Sequence, residues 1–257
     1  YRGLVESGFP AENIGVVDPS EAAQSAARAS GLIRIAESAT DADLSADLIV
    51  LAVKPQITDI ALSPLAHRVS STATVLSIIA GINSASLANL LGLPNDDAVV
   101  RSMPNTPALV GEGMTGLFSN SDQRAHGRIL AERVMSAVGQ CVWVSNESDL
   151  DLVTAISGSG PAYFFLFMES LADAAVELGM SPQTAHQLSV QTALGAAKLA
   201  QASDDGLAKL RENVTSPGGT TEQAIESFEA SELRAIVMSA TRAAKKRSIE
   251  LSEEFGL

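Results

Sequence analysis

Cysteine is almost absent from this 257-residue chain; Cys141 is the single one, so no intrachain disulfide can form. Its setting, Gly139-Gln140-Cys141-Val142-Trp143-Val144, reads as a strand, where a lone cysteine ordinarily serves as a small buried hydrophobe. Histidine is scarce as well. His67, His126 and His186 lie far apart without metal-ligand spacing, and no metal site is expected. Aromatic residues make up only 4% of the chain, which favours closely packed helices over a β-sandwich. Positive charge is short: 17 Lys and Arg against 30 Asp and Glu leave a net charge of −13, which argues against a nucleic-acid partner. The densest basic cluster, Arg242 to Arg247, falls in a terminal helix pattern and reads as a solvated face. No apolar run approaches the roughly 20 residues that cross a bilayer, and no signal-peptide pattern occurs. A cytoplasmic protein without a membrane partner is expected.

Hydrophobic residues are plentiful, at 46%. The length fits one large or two modest domains. Ile14-Gly15-Val16-Val17 reads as a strand, followed by a helix over about 20–30. Asp47 to Val53 and Thr74 to Gly81 are continuous apolar runs, the pattern of strands buried on both faces of a parallel sheet. Ala98 to Arg101 and Gly116 to Phe118 read as further strands, separated by a stiff loop with prolines at 104 and 107. Asn83-Ser84 offers a cap for a helix near 86–91. Strands alternating with helices predict a doubly wound, Rossmann-like α/β domain over residues 1–146.

From about Glu147 strand signals stop and an all-helical domain is predicted over 147–257. Ser157-Gly158-Ser159-Gly160-Pro161 reads as a flexible turn opening a helix over 161–178. That helix is apolar almost all round at Tyr163 to Met168, with Glu169, Asp173 and Glu177 as a narrow polar stripe. Burial inside one subunit and contact with another subunit both account for it. Further helices are predicted at about 183–201, 207–213, 221–228 and 232–254.

In open α/β sheets ligands sit beyond the carboxyl ends of strands. Asp18 ends one strand and either accepts from a ribose hydroxyl or serves as a turn residue. Lys54 faces either cofactor phosphates or solvent. The segment Asn213 to Thr221, with Ser216-Pro217-Gly218-Gly219-Thr220-Thr221 entering a helix, gathers backbone N–H groups, hydroxyls and the positive end of a helix dipole. It suits a small carboxylate or phosphate, or is a capped interhelical loop. A dinucleotide fold would also carry an earlier strand and a G-x-G-x-x-G turn. Neither precedes Ile14, so the chain is expected to begin inside the first βαβ unit, with the first strand missing.

The combination of Leu51 to Pro55, Ser77 to Gly81, Val100 to Ala108, Ser157 to Tyr163 and Val214 to Thr221, in that order, resembles the pyrroline-5-carboxylate reductase family. The departure is the absent Gly-rich turn. The resemblance implies reduction of 1-pyrroline-5-carboxylate to L-proline, the last step of proline biosynthesis, with NADPH, or NADH, as hydride donor. Carried over, Ala52, Val53, Lys54, Pro55, Ile78, Ile79 and Ala80 line the nicotinamide half of the cofactor, and Asn213 reaches it as well. Asp18 and Ser20 bear on the ribose: Asp18 suits a free hydroxyl and Ser20 a 2′-phosphate. The loop with Ser216 and Gly218 holds the substrate. Gly219 and Thr220 take its carboxylate through backbone N–H groups, and Thr221 hydrogen-bonds the ring nitrogen. Glu147 lies near a position the family uses at the substrate. The family assembles as homodimers or higher homo-oligomers through the helical domain. The other readings are a related imine reductase or hydroxyacid-type dehydrogenase, for which Lys198 is the one candidate helix lysine, and a non-catalytic dimerising remnant.

Overall fold

In the computed structural model the described residues are 1–121 and 125–255. They form two compact units, Tyr1–Ser159 with Ala244–Leu257, and Gly160–Ala243. The first unit also takes in the segment between Glu147 and Ser159.

The first unit is a layered α/β structure. Helix α1 (Arg2–Glu6) leads into β1 (Gly15–Val17), α2 (Glu21–Ala29) and β2 (Arg34–Ala36). Then follow β3 (Leu48–Leu51), α3 (Thr58–Leu62), β4 (Thr74–Ser77), α4 (Ser84–Leu91) and β5 (Val99–Met103). Strand β6 (Gly113–Phe118), helix α5 (Ala125–Ser136), β7 (Gly139–Trp143) and α6 (Asp149–Val153) complete it. Strands β1 and β2 form a parallel pair of their own, and the remaining strands form one sheet in the order β3-β4-β5-β6-β7.

Side-chain alternation places the core. Val75 and Val99 face one cluster with Leu62, Leu87 and Leu91, while Leu76 and Val100 face another with Leu117, Ala131 and Met135. This period of two puts helices on both faces of the sheet. Strand β4 is buried throughout, as its apolar run predicts, but it ends at Ser77 and Ile78 to Gly81 leave the sheet. Strand β3 departs from the expectation of two-sided burial: Val50 is 44% exposed, because β3 is an edge of its sheet.

A second difference is direction. Strands β3, β4 and β5 are parallel, but β6 pairs antiparallel with β5, and β7 runs parallel to β6. Only Pro104 to Glu112 joins β5 to β6, too short a connection for a parallel crossover.

The second unit holds α7 (Gly160–Glu177), α8 (Pro182–Ala202), α9 (Leu207–Asn213), α10 (Thr220–Ala230) and the first half of α11 (Leu233–Phe255). Ser181 caps α8, its hydroxyl accepting from the Thr184 N–H at 3.3 Å. Phe167 and Phe228 meet with ring centroids 6.1 Å apart, joining α7 to α10. Only Gly160, Ala185 and Ser189 are buried among the described residues of this unit. Phe164, Phe165 and Leu166 are each more than 60% exposed, so the apolar girth of α7 is not absorbed within its own chain.

The segment expected as a flexible turn is helical. Thr154–Gly158 is a π-helical stretch, with the Ser159 N–H donating to the Thr154 carbonyl at 2.8 Å. The run Asp149–Glu177 is therefore continuous, and by length and composition it meets the requirement for a bilayer span that no uninterrupted apolar stretch of the sequence meets.

Candidate functional site

Strands β3, β4 and β5 set the first half of the site. Their register aligns Leu51 with Ser77 and Ser77 with Arg101, so the residues following each strand emerge side by side at the carboxyl edge. Hydrogen bonds pin this edge. The Ile78 N–H donates to the Leu51 carbonyl at 3.0 Å, the Ile79 N–H to Ser77 Oγ at 3.2 Å, and Ser102 Oγ to the Ser77 carbonyl at 2.9 Å. Ala52, Lys54 and Ala80 are exposed, Val53, Pro55 and Ile78 are half-buried, and Ile79 is buried. The edge thus combines a rigid backbone with small open side chains and one solvent-facing ammonium. Pro55 opens a 3₁₀ turn, and the Lys54 carbonyl accepts from the Ile57 N–H and Thr58 Oγ1.

Asp18 closes β1, its N–H donating to the Ala36 carbonyl of β2. Its Oδ1 accepts from the Ser20 N–H at 2.8 Å, an Asx turn that leaves the second carboxylate oxygen for another donor. The turn role is therefore realised, and it does not use up the side chain. Ser20 is the N-cap of α2, accepting from the Ala23 N–H.

In the helical unit, Ser216 to Gly219 make a type II turn. Pro217 supplies the fixed φ, Gly218 takes φ +71°, and the Gly219 N–H donates to the Ser216 carbonyl at 2.9 Å. Gly219 is then the N-cap of α10, with Thr220 and Thr221 as its first two residues. Glu222, the third, reaches back to accept from the Gly218 N–H at 2.6 Å, a variant of the capping box. Among the described residues no acceptor meets the Thr220 and Thr221 N–H groups. Two free donors at the positive end of an 11-residue helix make a place for a small anion. Asn213 ends α9 and is exposed, its Nδ2 3.5 Å from Asp205 Oδ2.

Glu147 belongs to the first unit. Its Oε1 accepts from the Ser84 N–H at 2.7 Å, from Ser84 Oγ at 2.8 Å and from Arg101 Nη1 at 3.1 Å. Local sequence pattern around Glu147 does not announce this node. The available signal was Arg101, a cation inside an otherwise apolar strand, which has to meet an anion. Nor does local pattern announce Asn105, whose Oδ1 accepts from the Met114 N–H at 2.9 Å while Nδ2 donates to the Ser157 carbonyl at 3.0 Å. That carbonyl is the one Pro161, lacking an N–H, leaves unbonded. Lys198 is exposed on α8. No group of three or more metal-ligating side chains occurs among the described residues.

A predominantly parallel sheet with an open carboxyl edge, helices on both faces and a separate helical unit define a dinucleotide-dependent α/β protein of two domains. Residues 1–81 match the family described as NADP oxidoreductase coenzyme F420-dependent, and residues 147–251 match the family described as pyrroline-5-carboxylate reductase dimerisation. Pyrroline-5-carboxylate reductase of Pseudomonas aeruginosa is 45% identical over 254 residues, which is 99% of this chain and 92% of that protein. The pyrroline-5-carboxylate reductase structure from Coxiella burnetii superposes with a TM-score of 0.90 at 38% identity, covering 97% of this chain and 92% of that one. The Plasmodium falciparum pyrroline carboxylate reductase structure, solved with NADP bound, gives 0.82 at 32% identity, with 98% and 92% coverage. The chain belongs to the pyrroline-5-carboxylate reductase family.

Proposed function

We propose that this chain reduces 1-pyrroline-5-carboxylate to L-proline with NAD(P)H, as the last step of proline biosynthesis in the cytoplasm. The observation that carries this reading is the 45% identity to a pyrroline-5-carboxylate reductase across 99% of the chain. The enzyme is an oxidoreductase.

Bound NAD(P)H supplies the hydride, and a proton on the ring nitrogen completes the conversion of C=N to CH–NH. The chain's own contribution is placement. Ala52, Val53, Lys54 and Pro55 after β3, with Ile78, Ile79 and Ala80 after β4, line the nicotinamide. The small side chains at 52 and 80 leave backbone open for close approach, which fits a flat ring. The free Asp18 oxygen accepts from a ribose hydroxyl, Ser20 is the donor nearest in sequence for a 2′-phosphate, and Asn213 reaches the cofactor. The Gly219 N–H, carried over as a carboxylate donor, is engaged by the Ser216 carbonyl, so the unbonded Thr220 N–H at the start of α10 faces the substrate carboxylate, and Thr221 Oγ1 orients the ring nitrogen. Pyrroline nitrogen takes its proton from solution, so a site without histidine or cysteine is sufficient. Most of the rate enhancement then comes from fixing the reacting carbon against the nicotinamide. The exposed apolar face of α7 meets a second copy of the chain rather than nucleic acid or a bilayer, giving a homodimer or a higher homo-oligomer.

The test is pyrroline-5-carboxylate-dependent oxidation of NADPH and NADH by the purified chain. Activity with this substrate is expected, and oxidation driven instead by an oxo acid or another imine overturns the reading. In Thr221→Ala, loss of one orienting hydrogen bond should lower kcat/KM roughly 10- to 100-fold with unchanged folding. Wild-type kinetics in that variant would remove Thr221 from the mechanism.

A further inference from the structure

We infer that Glu147 is a positioning residue for the cofactor-side backbone Ile78 to Gly81, and not a ligand of the substrate. The inference rests on the reading of that backbone as the nicotinamide floor.

One oxygen of Glu147 accepts three hydrogen bonds, two from Ser84 and one from Arg101. Ser84 is fully buried and is the first residue of α4, whose N-cap Asn83 accepts from the Ser86 N–H at 2.8 Å. The carboxylate therefore sits at the positive end of α4 and fixes where that helix begins. Two residues separate Ser84 from Gly81, and one of them, Ile82, is itself buried. A shift of the helix start is thus carried directly into the Ile79-Ala80-Gly81 turn.

The same segment of chain braces that turn from a second side. Asp151, four residues after Glu147, accepts from Ser248 Oγ of α11 at 2.7 Å. Three residues beyond Ser248, the Leu251 carbonyl lies so close to Gly81 that a Cβ there would stand 3.3 Å from it. Arg101 in β5 adds a third tie, since it is in register with Ser77, the last residue of β4. A carboxylate with three donors on one oxygen, 27% exposed and salt-bridged to an Arg that is 13% exposed, has its strongest interactions inside the fold. Through Oε1 the carboxylate is committed to Ser84 and Arg101.

Two variants test this. Glu147→Gln keeps a neutral acceptor for Ser84 but loses the charge. Ser84→Ala removes one bond to Glu147 and leaves the Glu147–Arg101 pair in place. Both are read by steady-state kinetics for each substrate and by NADPH fluorescence titration without pyrroline-5-carboxylate. For Glu147→Gln the KM and dissociation constant for NADPH should rise about fivefold to tenfold, the size of one displaced hydrogen bond. KM for pyrroline-5-carboxylate should stay within about twofold. Ser84→Ala should shift the same constants in the same direction by less. A rise confined to the KM for pyrroline-5-carboxylate makes Glu147 a substrate ligand and overturns the inference, as do folded variants in which neither constant moves. A wild type that binds NADPH but does not reduce pyrroline-5-carboxylate defeats the functional reading alone, and the titration then still decides the role of Glu147. A wild type that does not bind NADPH overturns both.

Discussion

Gly218 and Gly81 both adopt positive φ, +71° and +79°, yet a methyl group would meet different surroundings at the two positions. Around Gly218 nothing lies within 4 Å of a built Cβ, so Gly218→Ala carries only the backbone penalty of the left-handed region, about 1–2 kcal/mol. At Gly81 the same penalty is joined by the Leu251 carbonyl at 3.3 Å, which belongs to helix backbone and yields little. Urea unfolding should therefore show Gly81→Ala to be the more destabilising of the two, and equal losses would mean that the contact with Leu251 is soft. Cys141 offers a second measurement. Burial pushes its thiol above the ordinary cysteine range, and the Glu132 carboxylate adds to this, while a hydrogen bond from Ser136 partly opposes it. A raised thiol means less thiolate at neutral pH. Iodoacetamide should modify Cys141 more slowly than free cysteine at pH 8, with the rate climbing only as pH passes the usual thiol range. Alkylation as fast as free cysteine at pH 8 would contradict the burial of this thiol.

Elements differ in how much of themselves they declare in sequence. Strands β4 and β5 are visible as apolar runs because both faces of the sheet are covered at those positions. Strand β2 has only three residues, one of them Arg34, and no alternation to betray it. The antiparallel direction of β6 goes with its short Pro104 to Glu112 connection, but the expected strand ends at 101 and 116 left room for a crossover, and the apolar pattern of Gly113 to Phe118 is silent about direction. The Ser157 to Pro161 segment carries every signature of a turn, but the π-helical register absorbs Pro161 by leaving one carbonyl unbonded, and tertiary contact then fills that vacancy. The contact is Asn105, the part of the site region that local pattern could not reveal, since its two partners lie 9 and 52 residues away. The turn at Ser216 to Thr221 is the opposite case: Pro at its second position and Gly at its third specify it from local chemistry alone. Asn105→Ala should strand the Met114 N–H and the Ser157 carbonyl together. Two unmet groups at half-buried positions are expected to cost about 2–4 kcal/mol by urea unfolding. A loss below about 0.5 kcal/mol would mean water replaces both bonds without penalty.

At the scale of the whole molecule the decisive quantity is how little the helical unit buries. An ordered residue loses about 1–2 kcal/mol of backbone conformational entropy, and this has to be offset mainly by burying apolar side chains. The α/β unit does so with clusters on both faces of its sheet. The helical unit, Gly160–Ala243, has Gly160, Ala185 and Ser189 as its buried residues, while Phe164, Phe165, Leu166, Leu188, Leu199, Ile236, Val237 and Met238 each remain more than half exposed. A unit so composed is not expected to hold its helices in isolation. Association would supply the missing core, and the match of residues 147–251 to a dimerisation family points to a second copy as the partner. Folding and association are then one equilibrium, so the thermal midpoint should rise with protein concentration. Sedimentation should show a dimer or larger species, and Phe164→Asp with Leu166→Asp should dissociate it and reduce far-UV helicity while leaving the α/β unit folded. A helical signal that persists in a monomer, with a midpoint independent of concentration, would show that this unit is stable on its own and that its exposed face has another purpose.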